Sequence, residues 1–181
     1  MERTGEKMRK LNVGCGTDIR PGWVNLDIAN LEGVDVVHDL QKLPLPFEDN
    51  HFDEIICYDI LEHLHDYSNL LKELHRITAP GGTVEIKVPH FSYCRAYADP
   101  THVRFFSVQT FEFFTESSGR SYYFDFAFKK LKSIRLTFLK RPRRNKLIKR
   151  LVNKNINRLI KYEERYHGLF PAENIIAILE K

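Results

Sequence analysis

From residue 10 to residue 59 four short apolar runs each close on glycine or aspartate, and this pattern limits the folds open to the chain. Lys10-Leu11-Asn12-Val13 runs into Gly14-Cys15-Gly16-Thr17-Asp18, residues 24–28 carry Asp27, residues 34–38 lead to Asp39, and residues 52–58 lead to Asp59. Runs of this length and composition read as strands. Ile60, Leu61, Leu64, Tyr67, Leu70, Leu71, Leu74 and Ile77 then recur at three- and four-residue steps, which predicts a helix that Pro80-Gly81-Gly82 stops. A fifth strand follows at residues 83–88. Strands alternating with helical pattern predict an α/β domain with a mostly parallel sheet and helices on both faces. The interval between the first two strands is too short for a full crossover helix, so a stunted or single-turn helix is expected there.

The second half is less regular. An aromatic, histidine-bearing loop spans residues 89–106, and a helix is expected to begin near Ser107. Strand-like runs follow at about 123–128 and 133–139, then a basic stretch at 140–161 with helical periodicity, and a buried strand at 174–179 closes the chain. No internal repeat stands out. The 181 residues suit one domain, with a cofactor-binding half at 10–89 and an acceptor-side half at 90–181 that holds a basic helical insertion at about 140–166. With 43% hydrophobic residues a core needs no staple, and Cys15, Cys57 and Cys94 are odd in number and widely spaced, so no disulfide framework is indicated. A charged amino terminus and the lack of a long apolar segment predict a cytoplasmic chain without a membrane span.

In a doubly wound sheet, ligands sit at the carboxyl ends of the strands, where the winding reverses. The residues there form a set: Gly14 and Gly16 after the first strand, Asp27 at the end of the second, Asp39 after the third, Asp59 after the fourth. A glycine turn lets a cofactor approach the backbone, and a carboxylate ending the next strand can accept both hydrogen bonds of a ribose diol. Each feature alone also reads as a tight turn or a cap.

The order of these motifs resembles the class I S-adenosylmethionine-dependent methyltransferases, in particular the type 11 group. Leu11-Asn12-Val13-Gly14-Cys15-Gly16 is similar to that family's first motif, Asp27 to its ribose-binding acid, and Asp39 to the residue that contacts the adenine amine. Residues 43–53, Leu61-Glu62-His63-Leu64 and Pro80-Gly81-Gly82 complete the order. The resemblance implies a Rossmann-like, seven-stranded domain, S-adenosyl-L-methionine as cofactor, and a cofactor site of Gly14, Cys15, Gly16, Asp27, Ile28, Asp39, Leu40 and Asp59. Asp18 stands where the first motif often has a third glycine, and Pro21-Gly22-Trp23 replaces the first crossover helix, as in a shortened subgroup. A dinucleotide site fits less well, because the last glycine is missing and Asp27 comes too soon.

Methyl transfer from a sulfonium needs alignment, desolvation and, for some acceptors, a base. Candidates are Asp59, His63, His90, Tyr93, Tyr97, Asp99 and His102, with His90, His102 and Asp59 taken as the catalytic set because they follow strand ends or lie in the aromatic loop. Asp59 also reads as a helix cap, and His90 as a structural histidine. A zinc site from His90, Cys94, Asp99 and His102 matches no common spacing, so no metal is expected. The acceptor is left open between a small molecule and RNA. A net charge of +4 permits weak anionic contacts, and Lys146, Arg150, Lys154, Arg158 and Lys161 form a basic line opposite an apolar stripe of Ile148, Leu151, Val152, Ile156, Leu159 and Ile160, predicted to be one helix capping the acceptor side. The competing reading is a non-catalytic S-adenosylmethionine-binding or RNA-binding accessory protein.

Overall fold

The computed structural model describes residues 8–119, 121–141 and 143–181; residues 1–7, which carry most of the charged amino terminus, lie outside the described residues. Seven strands form one sheet: β1 (Lys10–Val13), β2 (Val24–Asp27), β3 (Val36–Val37), β4 (Phe52–Tyr58), β5 (Thr78–Pro89), β6 (Lys130–Leu136) and β7 (Asn174–Glu180), in the spatial order β3-β2-β1-β4-β5-β7-β6. Strands β1 to β5 pair in parallel, and β7 is antiparallel to both β5 and β6. From β1 the chain winds outward to β2 and β3, then returns to lay β4 against β1's other edge with Leu11 beside Ile55 and Val13 beside Cys57. The reversal puts the carboxyl ends of β1 and β4 side by side. One hydrophobic cluster runs from Leu11 to Leu179, and it includes Leu26, Ile55, Val84, Ile86 and Ala177.

The helix expected from Ile60 to Ile77 is divided. Leu61–His63 forms a single 3-10 turn, the chain straightens at Leu64, and α1 runs over Tyr67–Ile77. Asp66, not Asp59, caps it: the Asp66 carboxylate accepts from the Asn69 amide at 3.4 Å and from the Ser68 hydroxyl at 2.7 Å. The apolar period continues across the break because Leu61 and Leu64 stay in the core with Leu70, Leu71, Leu74 and Ile77. At the other end, Thr78 leaves the helix extended while its hydroxyl donates to the Leu74 carbonyl at 2.5 Å. Strand β5 therefore begins earlier than expected. A register shift between Phe52 and Glu54 accommodates Pro80 and Gly81, and a Cβ on Gly82 would lie 2.9 Å from the Ala79 carbonyl and 3.0 Å from that of Asp53.

The crossover from β1 to β2 contains turns and no helix, where a stunted or single-turn helix had been expected. Those from β2 to β3 and from β3 to β4 also lack one among the described residues, so the β3-β2-β1 flank is covered by loops where helices were predicted. The longest of these loops is fixed to α1. Arg76 donates to the Phe47 and Leu45 carbonyls at 2.9 and 3.2 Å and pairs with Glu73 and Asp49, while Glu73 accepts from the Leu45 amide at 2.9 Å.

Three further expectations change. The helix near Ser107 is a 3-10 segment over Thr110–Phe114, preceded by the short α2 (Arg95–Ala98) in the aromatic loop. The run at 123–128 is no strand: Phe124, Phe126 and Phe128 pack with Phe114 and His75, and Phe128 makes an isolated bridge to Thr115. Its alternation serves an aromatic cluster instead of a ladder. The basic stretch forms two helices, α3 (Arg144–Val152) and α4 (Ile156–Arg165). Asn153 breaks them by turning its amide onto both the N–H and the carbonyl of Leu136, at 2.7 and 2.9 Å, and the Asn155 side chain then caps α4. No helix among the described residues is long and apolar enough to cross a membrane.

Candidate cofactor and acceptor site

The glycine turn after β1 has two different reasons for its glycines. Gly14, at φ +65°, sits against Ile60, whose Cδ1 would lie 2.1 Å from an added Cβ. Gly16, at φ +50°, has nothing within 4 Å of that position. The first glycine lets the segment after β4 pack on the turn, and the second leaves open space over it. The Gly16 amide donates to Asp27 Oδ2 at 2.7 Å and the Ala29 amide to Asp27 Oδ1 at 2.9 Å, so the carboxylate is held at the end of β2 by one backbone N–H on each oxygen. Each oxygen keeps a further lone pair for a ligand. Beside it Ile28 is 65% exposed, an apolar side chain with no core to enter, whereas Cys15 is buried. Burial, with the nearby Asp27 charge, holds the Cys15 thiol above its ordinary range, which suits a packing role over a nucleophilic one.

Asp39 caps its own turn by accepting from the Gln41 amide at 3.0 Å, and its other oxygen lies 4.0 Å from the Lys42 ammonium. Leu40 lines a pocket of about 170 Å³ with Leu43, Leu64 and His65. Asp59 adopts a left-handed backbone at φ +55° and pairs with Lys87 at 2.5 Å. That conformation is uncommon outside glycine, and aspartate is among the residues that tolerate it. The residue turns the chain sharply after β4, where a helix cap had been expected.

His90 is placed otherwise than a base requires. It is 0% exposed, and both ring nitrogens are engaged: Nδ1 accepts from the Ser92 amide at 3.1 Å, and Nε2 therefore carries the proton and donates to Glu163 Oε1 at 3.0 Å. Glu163, from α4, also accepts from the Val108 amide at 2.7 Å and the Ser107 hydroxyl at 3.0 Å. This buried network ties the basic helices to the end of β5. Sequence reasoning missed Glu163 because 73 residues separate it from His90.

A second group stands after β4. Glu62, His63 and His102 each offer a ligand atom within 4.8 Å of the others. Glu62 is 1% exposed, and neither of its carboxylate oxygens has a hydrogen-bond partner among the described residues. Burial pushes the carboxyl up to about 7. The His63 and His102 rings meet edge to face at 4.7 Å. The loop that brings His102 here is pinned by the Val103 and Arg104 amides, which donate to the Glu62 carbonyl at 2.8 and 3.2 Å. His63 and His102 were legible as candidates; Glu62 was visible only as part of a motif. The alternative quartet of His90, Cys94, Asp99 and His102 is not brought together, since His90 is committed to Ser92 and Glu163.

Residues 5–86 match the family described as a methyltransferase domain. A demethylmenaquinone methyltransferase of Staphylococcus epidermidis is 43% identical over 56 residues, 31% of this chain and 23% of that protein. Its counterpart in Geobacillus stearothermophilus is 36% identical over 64 residues, 35% of this chain and 27% of that protein, so each match spans about a quarter of the relative. Among solved structures, an S-adenosylmethionine-dependent methyltransferase from Archaeoglobus fulgidus superposes with a TM-score of 0.62 at 19% identity, covering 96% of this chain and 86% of that one. One from Mesorhizobium loti gives 0.57 at 15% identity, over 96% and 91%. In fold, and in the order of motifs across its first half, the chain is similar to the class I S-adenosylmethionine-dependent methyltransferases.

Proposed function

We propose that the chain binds S-adenosylmethionine across the carboxyl ends of β1 to β4 and transfers its methyl group to an acceptor that enters between the Leu61–His63 turn and the loop at 99–104. The observation that carries this reading is the Asp27 carboxylate, fixed by the Gly16 and Ala29 amides beside the open face of Gly16. In that position it accepts the two ribose hydroxyls, while Ile28 and Leu40 flank the adenine and Asp39 receives its amine. The cofactor supplies an activated methyl group, so the protein's work is alignment and removal of water. Asp59 holds the turn through Lys87. His90 supports the site from within through Glu163, and the group at Glu62, His63 and His102 places the acceptor.

Incubation with methyl-labelled S-adenosylmethionine and fractionated cell extract tests the transfer. Label in a small-molecule or RNA fraction, lost in Asp27→Ala, supports it. Tight cofactor binding with no labelled product in any fraction favours the accessory reading, to which the helix-free β3-β2-β1 flank lends itself.

A further inference from the structure

We propose that Glu62, His63 and His102 form a binding site for one divalent first-row transition-metal cation. The donor atoms lie within 4.8 Å of one another, and they come from two segments that the Glu62 carbonyl already holds together through the Val103 and Arg104 amides. The site is thus largely assembled before any ion arrives.

Two independent features single out these side chains. Glu62 is a buried carboxylate whose oxygens accept nothing from the described residues, an arrangement that costs free energy unless something else meets them. The histidines show the complementary feature, for each has its Nδ1 taken by an acceptor. His102 Nδ1 lies 2.9 Å from the Ala96 carbonyl, which can only accept, so that nitrogen carries the proton. His63 Nδ1 lies 2.8 Å from the Thr101 hydroxyl, whose own proton goes to Asp99 Oδ1 at 2.6 Å, so the hydroxyl accepts from His63 as well. In the neutral imidazole this tautomer leaves Nε2 of each ring with a free lone pair. A metal-binding imidazole is oriented in this way, its second nitrogen donating to a carbonyl or, through a relay, to a carboxylate. Asp99 Oδ2 stands 3.9 Å from His102 Nε2, close enough to serve a bound ion directly or through water.

Two imidazole nitrogens with one carboxylate suit zinc, cobalt, nickel, iron or manganese rather than calcium or magnesium, and three protein ligands leave a coordination position open. Tetrahedral donors at bonds of about 2.0–2.1 Å are about 3.3 Å apart, so closure needs movements of roughly 1 Å, within reach of side-chain rotation. Ile60, two residues before Glu62, packs on Gly14, so the segment that carries Glu62 and His63 adjoins the glycine turn. Its use in the reaction rests on the proposed methyl transfer: a cation with an open position lowers the pKa of an acceptor hydroxyl bound to it, and the hydroxyl proton passes to water.

The site is tested without the reaction. Untagged protein is stripped with chelator and titrated with ZnCl2 by calorimetry and with CoCl2 by visible absorption, in the absence of S-adenosylmethionine. The expected result is one ion per chain, a dissociation constant below about 10 µM, and cobalt ligand-field bands that zinc abolishes. His102→Gln, His63→Gln and Glu62→Gln should each weaken zinc at least tenfold, and Thr101→Val, which removes the relay to His63, should weaken it less. Folding of each variant is checked by circular dichroism, and the two histidine variants carry the test should Glu62→Gln fail to fold. The proposal is overturned by folded wild type that binds neither ion at 100 µM, or by binding that survives both histidine substitutions. Metal binding in a protein that does not bind S-adenosylmethionine would sink the proposed function and leave this site standing.

Discussion

Replacing Glu163 separates two roles for His90. Glu163 is a nearly buried carboxylate that accepts from His90 Nε2, the Val108 amide and the Ser107 hydroxyl at 3.0, 2.7 and 3.0 Å. Glu163→Ala leaves three donors without their acceptor, each costing about 1–3 kcal/mol if water does not replace it. The costs do not add fully, because removal of one side chain lets the others relax together. About 3–5 kcal/mol is therefore expected, and at about 2–4 °C per kcal/mol for a chain of this size the melting temperature should fall by roughly 10 °C. Glu163→Gln keeps one acceptor oxygen and should lose less than half as much. Calorimetric melts of wild type, Glu163→Ala, Glu163→Gln, His90→Gln and the His90→Gln, Glu163→Ala double variant supply the measurement, with cofactor affinity measured below each midpoint. A structural His90 predicts that His90→Gln melts early, and that its loss is less than additive with that of Glu163→Ala. If both variants melt within 2 °C of wild type and turnover of an identified acceptor collapses, the network is not structural and His90 acts in catalysis.

Other outcomes follow from the same geometry. Arg76→Ala should destabilise the chain by about 2–3 kcal/mol, because it breaks a partly buried ion pair and frees the Leu45 and Phe47 carbonyls, and faster proteolysis within residues 43–50 would report the loosened loop. His75 is pushed down to about 4 by burial and by the Lys181 charge, so the folded state resists its protonation; stability should fall as pH drops from about 6.5 toward 4, and His75→Gln should flatten that part of the urea-midpoint profile. A slope identical to wild type would count against it. Charge reversal at Lys146, Arg150 and Lys154 should abolish any salt-sensitive retention on bulk tRNA, whereas wild type that shows no such retention marks the α3–α4 surface as solvated only.

The sheet was legible because each of β1 to β4 announces itself twice, by an apolar run and by the glycine or aspartate that ends it. β4 matches its run from Phe52 to Tyr58, and the short Val36–Val37 strand still lies where residues 34–38 placed it. Helices were read less well. Periodicity records which side chains face the core, and Leu61 and Leu64 face it whether or not the backbone between them is helical. The breaks are set by Asp66 and Asn153, whose polar side chains bind backbone groups that periodicity does not weigh. The same limit governs the site. Asp27 and the glycines were visible because their neighbours in sequence are their neighbours in space. The His90–Glu163 pair and the meeting of Glu62 with His102 depend on segments far apart in the chain, and nothing local marks them.

Calorimetric titration of S-adenosylmethionine and S-adenosylhomocysteine into wild type and Asp27→Ala tests the central claim most directly. Truncation of Asp27 removes the two ribose contacts of the proposed complex, and the observed grip on the Gly16 and Ala29 amides as well. The account predicts binding to wild type with one site per chain, and a loss of about 2–4 kcal/mol in the variant, roughly 30- to 1,000-fold in affinity. Binding of both proteins within about threefold of each other, a difference under 1 kcal/mol, or no binding to folded wild type at millimolar ligand, would contradict it.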